Sequence, residues 1–160
     1  MMRPALAVSL GDPAGVGPEL ICAAWVRRET DALRPFFAVG GANLLAAAAR
    51  QRGLALSVQP ITDPAEAAAV FPHALPVLGQ DEAPYRPGAP DTIGAHLALS
   101  SLTLGTRLAV KGQAAGIVTG PIAKARLADI GFRHPGQTEF VAEACGVAPQ
   151  DAVMMLAGPQ

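Results

Sequence analysis

The stretch Gly116-Ile-Val-Thr-Gly-Pro-Ile-Ala-Lys124 predicts a strand that runs directly into a helix. The residues Ala115 to Val118 are apolar and partly β-branched, which favours a buried strand. A glycine and a proline end that strand, and Pro121 suits the first position of a helix because its missing N–H needs no partner there. We therefore expect a helix from about Ile122 to Ile130, ended by Gly131.

A second turn, Pro135-Gly136, leads into another predicted helix, from Thr138 to Cys145, which Gly146 closes. Two helix N-termini thus follow one strand, and the N–H groups at such termini favour anions such as phosphate. Three side-chain donors lie near these termini: Lys124, Gln137 and Thr138. The segment predicts a site for a phosphorylated small molecule, although the same junction also occurs as plain architecture in α/β proteins.

The N-terminal part of the chain repeats this strand, loop and helix pattern. An apolar run from Ala5 to Leu10 is followed by the glycine-rich loop 11–17, and Pro18 can open a helix. Further strands are predicted at 36–39 and 54–58, with a helix at 43–51 between them. This alternation predicts an α/β fold with a mainly parallel sheet and flanking helices.

The second half of the chain contains the longest predicted helix. Frequent prolines between Thr62 and Pro90 leave room only for a short helix near 65–69 and a strand near 75–78. Asp91 can cap a helix whose apolar residues recur at helical spacing up to Lys111. One more strand is expected at Val153–Leu156, and because no closing helix follows it we expect the chain to be a fragment.

Composition restricts the class of protein. The chain has 160 residues, 51% of them hydrophobic and 16% charged, which favours one domain with a sizeable core. A net charge of −1 and the lack of a Lys/Arg cluster argue against a nucleic-acid partner. No apolar stretch is expected to reach membrane-spanning length, and Cys22 and Cys145 are read as reduced thiols. A soluble cytoplasmic protein with no membrane partner is predicted.

The sequence contains no self-sufficient catalytic centre. The loop Gly11-Asp-Pro-Ala-Gly-Val-Gly-Pro-Glu19 has neither the dinucleotide-binding glycine spacing nor that of a P-loop, so a tight structural turn remains as good an explanation as close approach to a ligand. Asp12 and Glu19 need not face one another. Metal-ligand spacing is missing from the three histidines, and each is expected in a loop or on the surface: His73, His96 and His134.

Five motifs together resemble one enzyme family. They are Gly11 to Glu19, Arg86-Pro-Gly88, Val118 to Lys124, Gly136-Gln-Thr-Glu-Phe140 and Val153-Met-Met-Leu-Ala157. Their order and spacing are similar to those of the 4-hydroxythreonine-4-phosphate dehydrogenases of vitamin B6 synthesis. The resemblance implies a fold like that of isocitrate and isopropylmalate dehydrogenases, with two α/β domains around a cleft, and a homodimer. It also implies oxidation of the substrate by NAD or NADP and loss of CO₂, giving 3-amino-2-oxopropyl phosphate.

The resemblance further implies what this chain lacks. In the family a divalent metal (Zn, Mg or Co) is held by three histidines in later motifs, so residues 1–160 would be the N-terminal portion of a two-domain dehydrogenase, inactive alone. Family members commonly carry Gly-His-Thr-Glu where this chain has Gly136-Gln137-Thr138-Glu139. By position, Gln137 and Thr138 are the substrate residues, and Lys124 is a candidate for phosphate support.

Three alternatives remain open at the level of the sequence. The glutamine at position 137 is compatible with a paralogue that acts on a four-carbon sugar-acid phosphate, because an amide never becomes cationic as an imidazole does. The chain could also be a noncatalytic truncated module. A phosphate acyltransferase of similar α/β architecture is the third possibility.

Overall fold

The computed structural model describes residues 3–158 as a parallel sheet flanked by helices. The strands are β1 (Leu6–Ser9), β2 (Phe36–Val39), β3 (Val58–Ile61), β4 (Leu75–Leu78) and β5 (Ile117–Thr119). The helices are α1 (Gly17–Val26), α2 (Ala42–Gln51), α3 (Ala67–Val70), α4 (Thr92–Val110), α5 (Lys124–Asp129) and α6 (Gln137–Ala144), and short 3₁₀ turns span Pro64–Glu66 and Pro149–Asp151. The sheet order is β3-β4-β2-β1-β5 with every neighbouring pair parallel, which confirms the predicted fold class.

The core lies in two layers, one on each face of the sheet. Phe36 and Ala38 of β2 belong to the layer that α1 and α2 cover. Phe37 and Val39 belong to the opposite layer, which includes Leu108 of α4. Because successive side chains of a strand point to opposite faces, a strand covered by helices on both sides is apolar throughout. All four residues of β2 are accordingly buried.

Helix α4 begins where its cap predicts. The Asp91 carboxylate accepts a hydrogen bond from the Gly94 N–H at 2.7 Å. Contrary to expectation, this helix is long and apolar enough to cross a membrane by length and composition, with a mean hydropathy of 1.2. Half of this apolar stretch of α4 is buried, and Leu97 and Leu108 lie in the two core layers. A helix packed inside a folded core meets the same two criteria.

The third strand lies later than predicted. The expected strand at 54–58 is instead largely a connection, and β3 starts only at Val58. The Leu54 N–H donates to the Ala49 carbonyl at 2.9 Å, so this part of the chain closes α2. Pairing of Val58 with Leu75 then sets the register of the strand. An edge position in the sheet also lets β3 contain a proline.

Two further predictions near the C-terminal end are wrong. Helix α5 begins at Lys124, and Pro121 lies in the loop before it instead of at the first helical position. The segment Val153–Leu156 is not a strand, and its end residues are 87% and 92% exposed. A strand requires a hydrogen-bonding neighbour, and no strand among residues 3–158 pairs with this segment.

Candidate functional site

The carboxyl ends of β1 and β5 form a crevice at which two of the motif loops meet. The chain leaves β1 towards β2 on one side, while β5 lies on the other, so this is the point where the direction of the connections reverses. Open α/β sheets bind ligands at such a switch point. The Asp12 N–H donates to the Pro121 carbonyl at 2.8 Å, and the Gly120 N–H donates to the Ser9 carbonyl at 3.0 Å. These two loops therefore form one continuous surface.

Glycines make this contact between the two loops possible. A Cβ atom at Gly11, whose φ is +68°, would lie 2.3 Å from the Pro121 carbonyl oxygen. Cβ atoms at Gly17 and Gly120 would lie 2.1 Å and 2.5 Å from the Leu10 carbonyl oxygen. All three separations are far below van der Waals contact, so no side chain fits there. These glycines serve backbone packing, which favours the structural explanation of the first loop.

A buried serine from α4 fixes the start of the first loop. The Ser101 hydroxyl donates to the Val39 carbonyl at 2.7 Å and accepts from the Leu10 N–H at 3.0 Å. Its side chain is 1% exposed, so the hydroxyl satisfies two backbone groups that no water reaches. Sequence reasoning missed this residue, because a serine within an apolar helix carries no local signal of such a contact.

A cleft opens above this crevice, with a volume of about 430 Å³. It is lined by Asp12, Ala14, Gly15, Val16, Gly88, Pro90, Pro121, Ile122 and Ala123. The Gly88 N–H donates to the Ala14 carbonyl at 2.8 Å, which joins the Arg86-Pro-Gly88 motif to the first loop. The cleft is thus built by three motifs that are far apart in the sequence.

The predicted substrate and phosphate residues lie beside this cleft. Gln137 is the first residue of α6, and its side-chain N–H donates to the Gly120 carbonyl at 3.1 Å, while its Oε1 is buried without a partner. Thr138 is exposed in the first turn of α6. Lys124 opens α5, and its Nζ lies 3.8 Å from the position of a Cβ atom at Gly136. The structure therefore brings Lys124 and the N-terminus of α6 together.

His134 is held more tightly than the surface placement expected from the sequence. Its Nε2 lies 2.6 Å from a carboxylate oxygen of Glu143 on α6. The ring contacts Phe132 and Phe140, with centroid distances of 5.1 Å and 5.3 Å. This cluster ties the turn before α6 to the helix itself. Within residues 3–158, no three His, Cys, Asp or Glu side chains form a group that could hold a metal ion.

Glu19 and Asp12 have different partners. The Glu19 carboxylate accepts hydrogen bonds from Arg52 at 2.6 Å and from the Tyr85 hydroxyl at 2.7 Å. The hydrogen bond from Arg52, followed by that from Tyr85, lowers the pKa of Glu19. The Asp12 carboxylate instead accepts from the Ala14 N–H at 2.7 Å. The two acidic residues therefore do not face one another, and each stabilises a different part of the structure.

Both cysteines of the described chain are free. Cys145 is exposed at the end of α6, whereas Cys22 is buried beneath α2 and its Sγ lies 3.5 Å from the Leu45 carbonyl oxygen. Burial raises the pKa of the Cys22 thiol to about 11, with the nearby Glu19 charge adding to the effect. A thiol with such a pKa is unreactive, so Cys22 is a core residue.

Comparison with known proteins gives consistent matches. The family model described as "Pyridoxal phosphate biosynthetic protein PdxA" matches residues 31–160. A 4-hydroxythreonine-4-phosphate dehydrogenase of Erythrobacter litoralis is 56% identical over 96% of this chain and 46% of its own length. That of Zymomonas mobilis is 48% identical over 99% of this chain and 46% of its own length.

A solved structure shares the fold. The crystal structure of a 4-hydroxythreonine-4-phosphate dehydrogenase from Burkholderia phymatum has a TM-score of 0.79 and 25% identity, over 92% of this chain and 45% of that chain. The chain therefore spans about half the length of the relatives that it matches.

Proposed function

This chain belongs to the PdxA family of pyridoxal phosphate biosynthetic proteins, and we propose that it is the N-terminal portion of a two-domain dehydrogenase. The full-length protein would oxidise and decarboxylate 4-hydroxythreonine-4-phosphate with NAD or NADP, giving 3-amino-2-oxopropyl phosphate. The observation that carries this proposal is the cleft, because three of the motifs that resemble those of the family meet there. We further propose that the protein is a cytoplasmic homodimer without nucleic-acid or membrane partners.

The family implies a divalent metal (Zn, Mg or Co), and the described residues do not fit one. The histidines at 73 and 96 are exposed, and His134 is engaged with Glu143. We therefore place the metal ligands, together with most of the nicotinamide site, in the portion of the relatives that this chain does not span. The residues of this chain would bind and orient the phosphorylated substrate.

The proposal assigns substrate binding to Gln137 and Thr138. The amide of Gln137 is anchored on Gly120, and its unpartnered Oε1 is an acceptor of the kind that a substrate hydroxyl needs. Thr138 presents a hydroxyl at the N-terminus of α6, where N–H groups also favour an anion.

Alanine substitution at either position tests this assignment in the full-length protein. Gln137→Ala and Thr138→Ala are each expected to lower kcat/KM about tenfold, the usual effect of losing one hydrogen bond to a charged or buried group. Gln113→Ala, at an exposed position after α4, is the matched control. Unchanged kcat/KM in both site variants would contradict the assignment.

Lys124 is proposed to support the substrate phosphate. An exposed lysine beside Gly136 adds a positive charge next to the N-terminus of α6. Lys124→Met should raise KM about three- to tenfold with little change in kcat, because a charge that binds ground state and transition state alike affects binding only. Lys111→Met, at the exposed end of α4, should leave KM unaltered. Equal KM values for the two variants would show that Lys124 is an ordinary surface lysine.

Position 137 also favours a second candidate substrate. An amide binds neutral hydroxyl groups as well as an imidazole does but carries no charge, which suits a four-carbon sugar-acid phosphate. An assay distinguishes the two candidate substrates. It measures the formation of reduced nicotinamide by the full-length protein with a divalent metal and each substrate in turn. We expect turnover of 4-hydroxythreonine-4-phosphate. Turnover of the sugar-acid phosphate alone would favour the paralogue instead.

A further inference from the structure

Of the residues that the structure describes, Asp12 is the one acidic residue that lines the cleft between the motif loops. It is buried, with 7% of its surface exposed. Its Oδ1 accepts a hydrogen bond from the Ala14 N–H. No lysine, arginine or histidine among residues 3–158 forms an ion pair with it. A buried carboxylate is costly to keep charged unless a donor or a cation compensates it.

The tripeptide Asp-Pro-Ala occurs at two places in the chain, and only one of the two aspartates is buried. Asp12-Pro-Ala and Asp63-Pro-Ala are identical in sequence, and in both the aspartate accepts a hydrogen bond from the alanine N–H, at 2.7 Å and 2.8 Å. Asp63 lies between the edge strand β3 and helix α3, and it is exposed, so water solvates its charge. The two aspartates therefore share the hydrogen bond from the alanine N–H, although Asp63 also caps a short 3₁₀ turn and lines a different cleft. Only Asp12 is buried, and it lines the cleft between the motif loops.

We propose that the Asp12 carboxylate binds the ammonium group of an amino-acid substrate in this cleft. This inference rests on the proposed function and narrows its substrate class. A phosphorylated hydroxy amino acid carries an ammonium group on one side and a phosphate on the other. Asp12 lines the cleft, and Lys124 directly follows Ala123, another lining residue, in the sequence. The cleft thus offers a buried carboxylate for the ammonium group, and Lys124, next to a lining residue, is the proposed partner of the phosphate.

The same geometry makes Asp12 a specificity residue. A sugar-acid phosphate has a hydroxyl group in place of the ammonium group, so it can donate a hydrogen bond to the carboxylate but brings no positive charge of its own. The ammonium group adds an attraction between opposite charges, and this attraction is stronger at a partly buried site than in bulk water. Asp12 would therefore favour the amino acid over the four-carbon sugar acid, which are the two candidate substrates.

Asp12→Asn in the full-length protein tests this role. Asparagine keeps an oxygen that can accept from the Ala14 N–H, removes the negative charge and replaces the second oxygen by an NH₂ group, which cannot accept from an ammonium group. The ratio of kcat/KM for 4-hydroxythreonine-4-phosphate to kcat/KM for the sugar-acid phosphate should fall about tenfold. Asp63→Asn, the same change in the exposed copy of the tripeptide, should leave that ratio as it is. An unaltered ratio in Asp12→Asn would overturn the proposal.

A second variant and a binding measurement test the same role of Asp12 independently. Asp12→Ser is also neutral and can also accept from the Ala14 N–H, so it should reproduce the change in the ratio if Asp12→Asn folds poorly. If the wild type turns over neither substrate, the proposed function fails, and calorimetric binding then tests Asp12 separately. Binding of 4-hydroxythreonine-4-phosphate that weakens about tenfold in the neutral variants supports the inference. Binding that is absent from the wild type, or equal in the variants, overturns it.

Discussion

The Ser101 hydroxyl is the contact on which the geometry of the first loop most depends. It joins α4 to the last residue of β2 and to the residue just after β1. Ser101→Ala leaves a buried N–H and a buried carbonyl without partners, so the free energy of unfolding should fall by about 1–3 kcal/mol. Chemical denaturation of the purified protein measures this loss.

A neighbouring serine provides the control for that experiment. The Ser100 hydroxyl donates only to the Leu97 carbonyl within its own helix and is partly buried. Ser100→Ala should therefore change the stability by about 0.5 kcal/mol or less. Equal losses in the two variants would show that the Ser101 bridge is not what holds the loop.

At the scale of single residues, the sequence identifies candidate site residues but not the contacts that they make. Gln137 and Lys124 are predictable as donors near helix N-termini, and Lys124 lies beside Gly136, the residue before Gln137. Asp12 and Ser101 were not assigned a role. Their significance comes from burial and from partners that are distant along the chain, for Ser101 a residue 91 positions away. No local pattern contains that information.

Among the helices, α1 and α2 are joined by a charged network at their exposed ends. Glu19 of α1 accepts from Arg52, which follows α2, and from Tyr85 in the loop before α4. These hydrogen bonds lower the pKa of Glu19. A carboxyl group whose pKa is lower in the folded than in the unfolded state stabilises the fold above the unfolded pKa, and this contribution disappears as the pH falls through the folded pKa.

The pH dependence of stability follows from this network. Glu19→Gln should lower the thermal unfolding midpoint at neutral pH, and its midpoint should converge with that of the wild type as the pH falls below the usual glutamate range. Calorimetry over this pH interval measures the effect. In Glu29→Gln, the matched control, the lost carboxylate is 82% exposed and the midpoint should hardly move. A Glu19→Gln difference that is the same at every pH would contradict the role of its charge.

Helix ends that are marked by a capping residue or a glycine can be predicted from the sequence. The bounds of a strand cannot, because they depend on the strand with which it pairs. The start of α4 follows from the Asp91 cap, and the ends of α5 and α6 follow from glycines with φ of +92° and +70°. The bounds of β3 were wrong because its pairing with β4 sets them. Val153–Leu156 has the composition of a strand but no neighbour among the described residues.

At the scale of the whole molecule, the sheet order creates the cleft. Strand β5 pairs with β1 although more than a hundred residues separate them, and this pairing brings the first loop against the Gly120 loop. Alternating elements predict a parallel sheet but not the order of its strands. The family resemblance supplied the identity of the motifs, and the structure supplied the contacts between them.

We propose that the full-length protein binds its substrate in the cleft at the carboxyl ends of β1 and β5. Hydrogen exchange of the full-length protein, measured with and without 4-hydroxythreonine-4-phosphate, NAD and a divalent metal, tests it most directly. We expect the ligands to slow exchange in the loops 11–17, 86–90 and 120–124 and at the start of α6. Binding that slows exchange only elsewhere in this part of the chain, for example around β3 and α3, would contradict it.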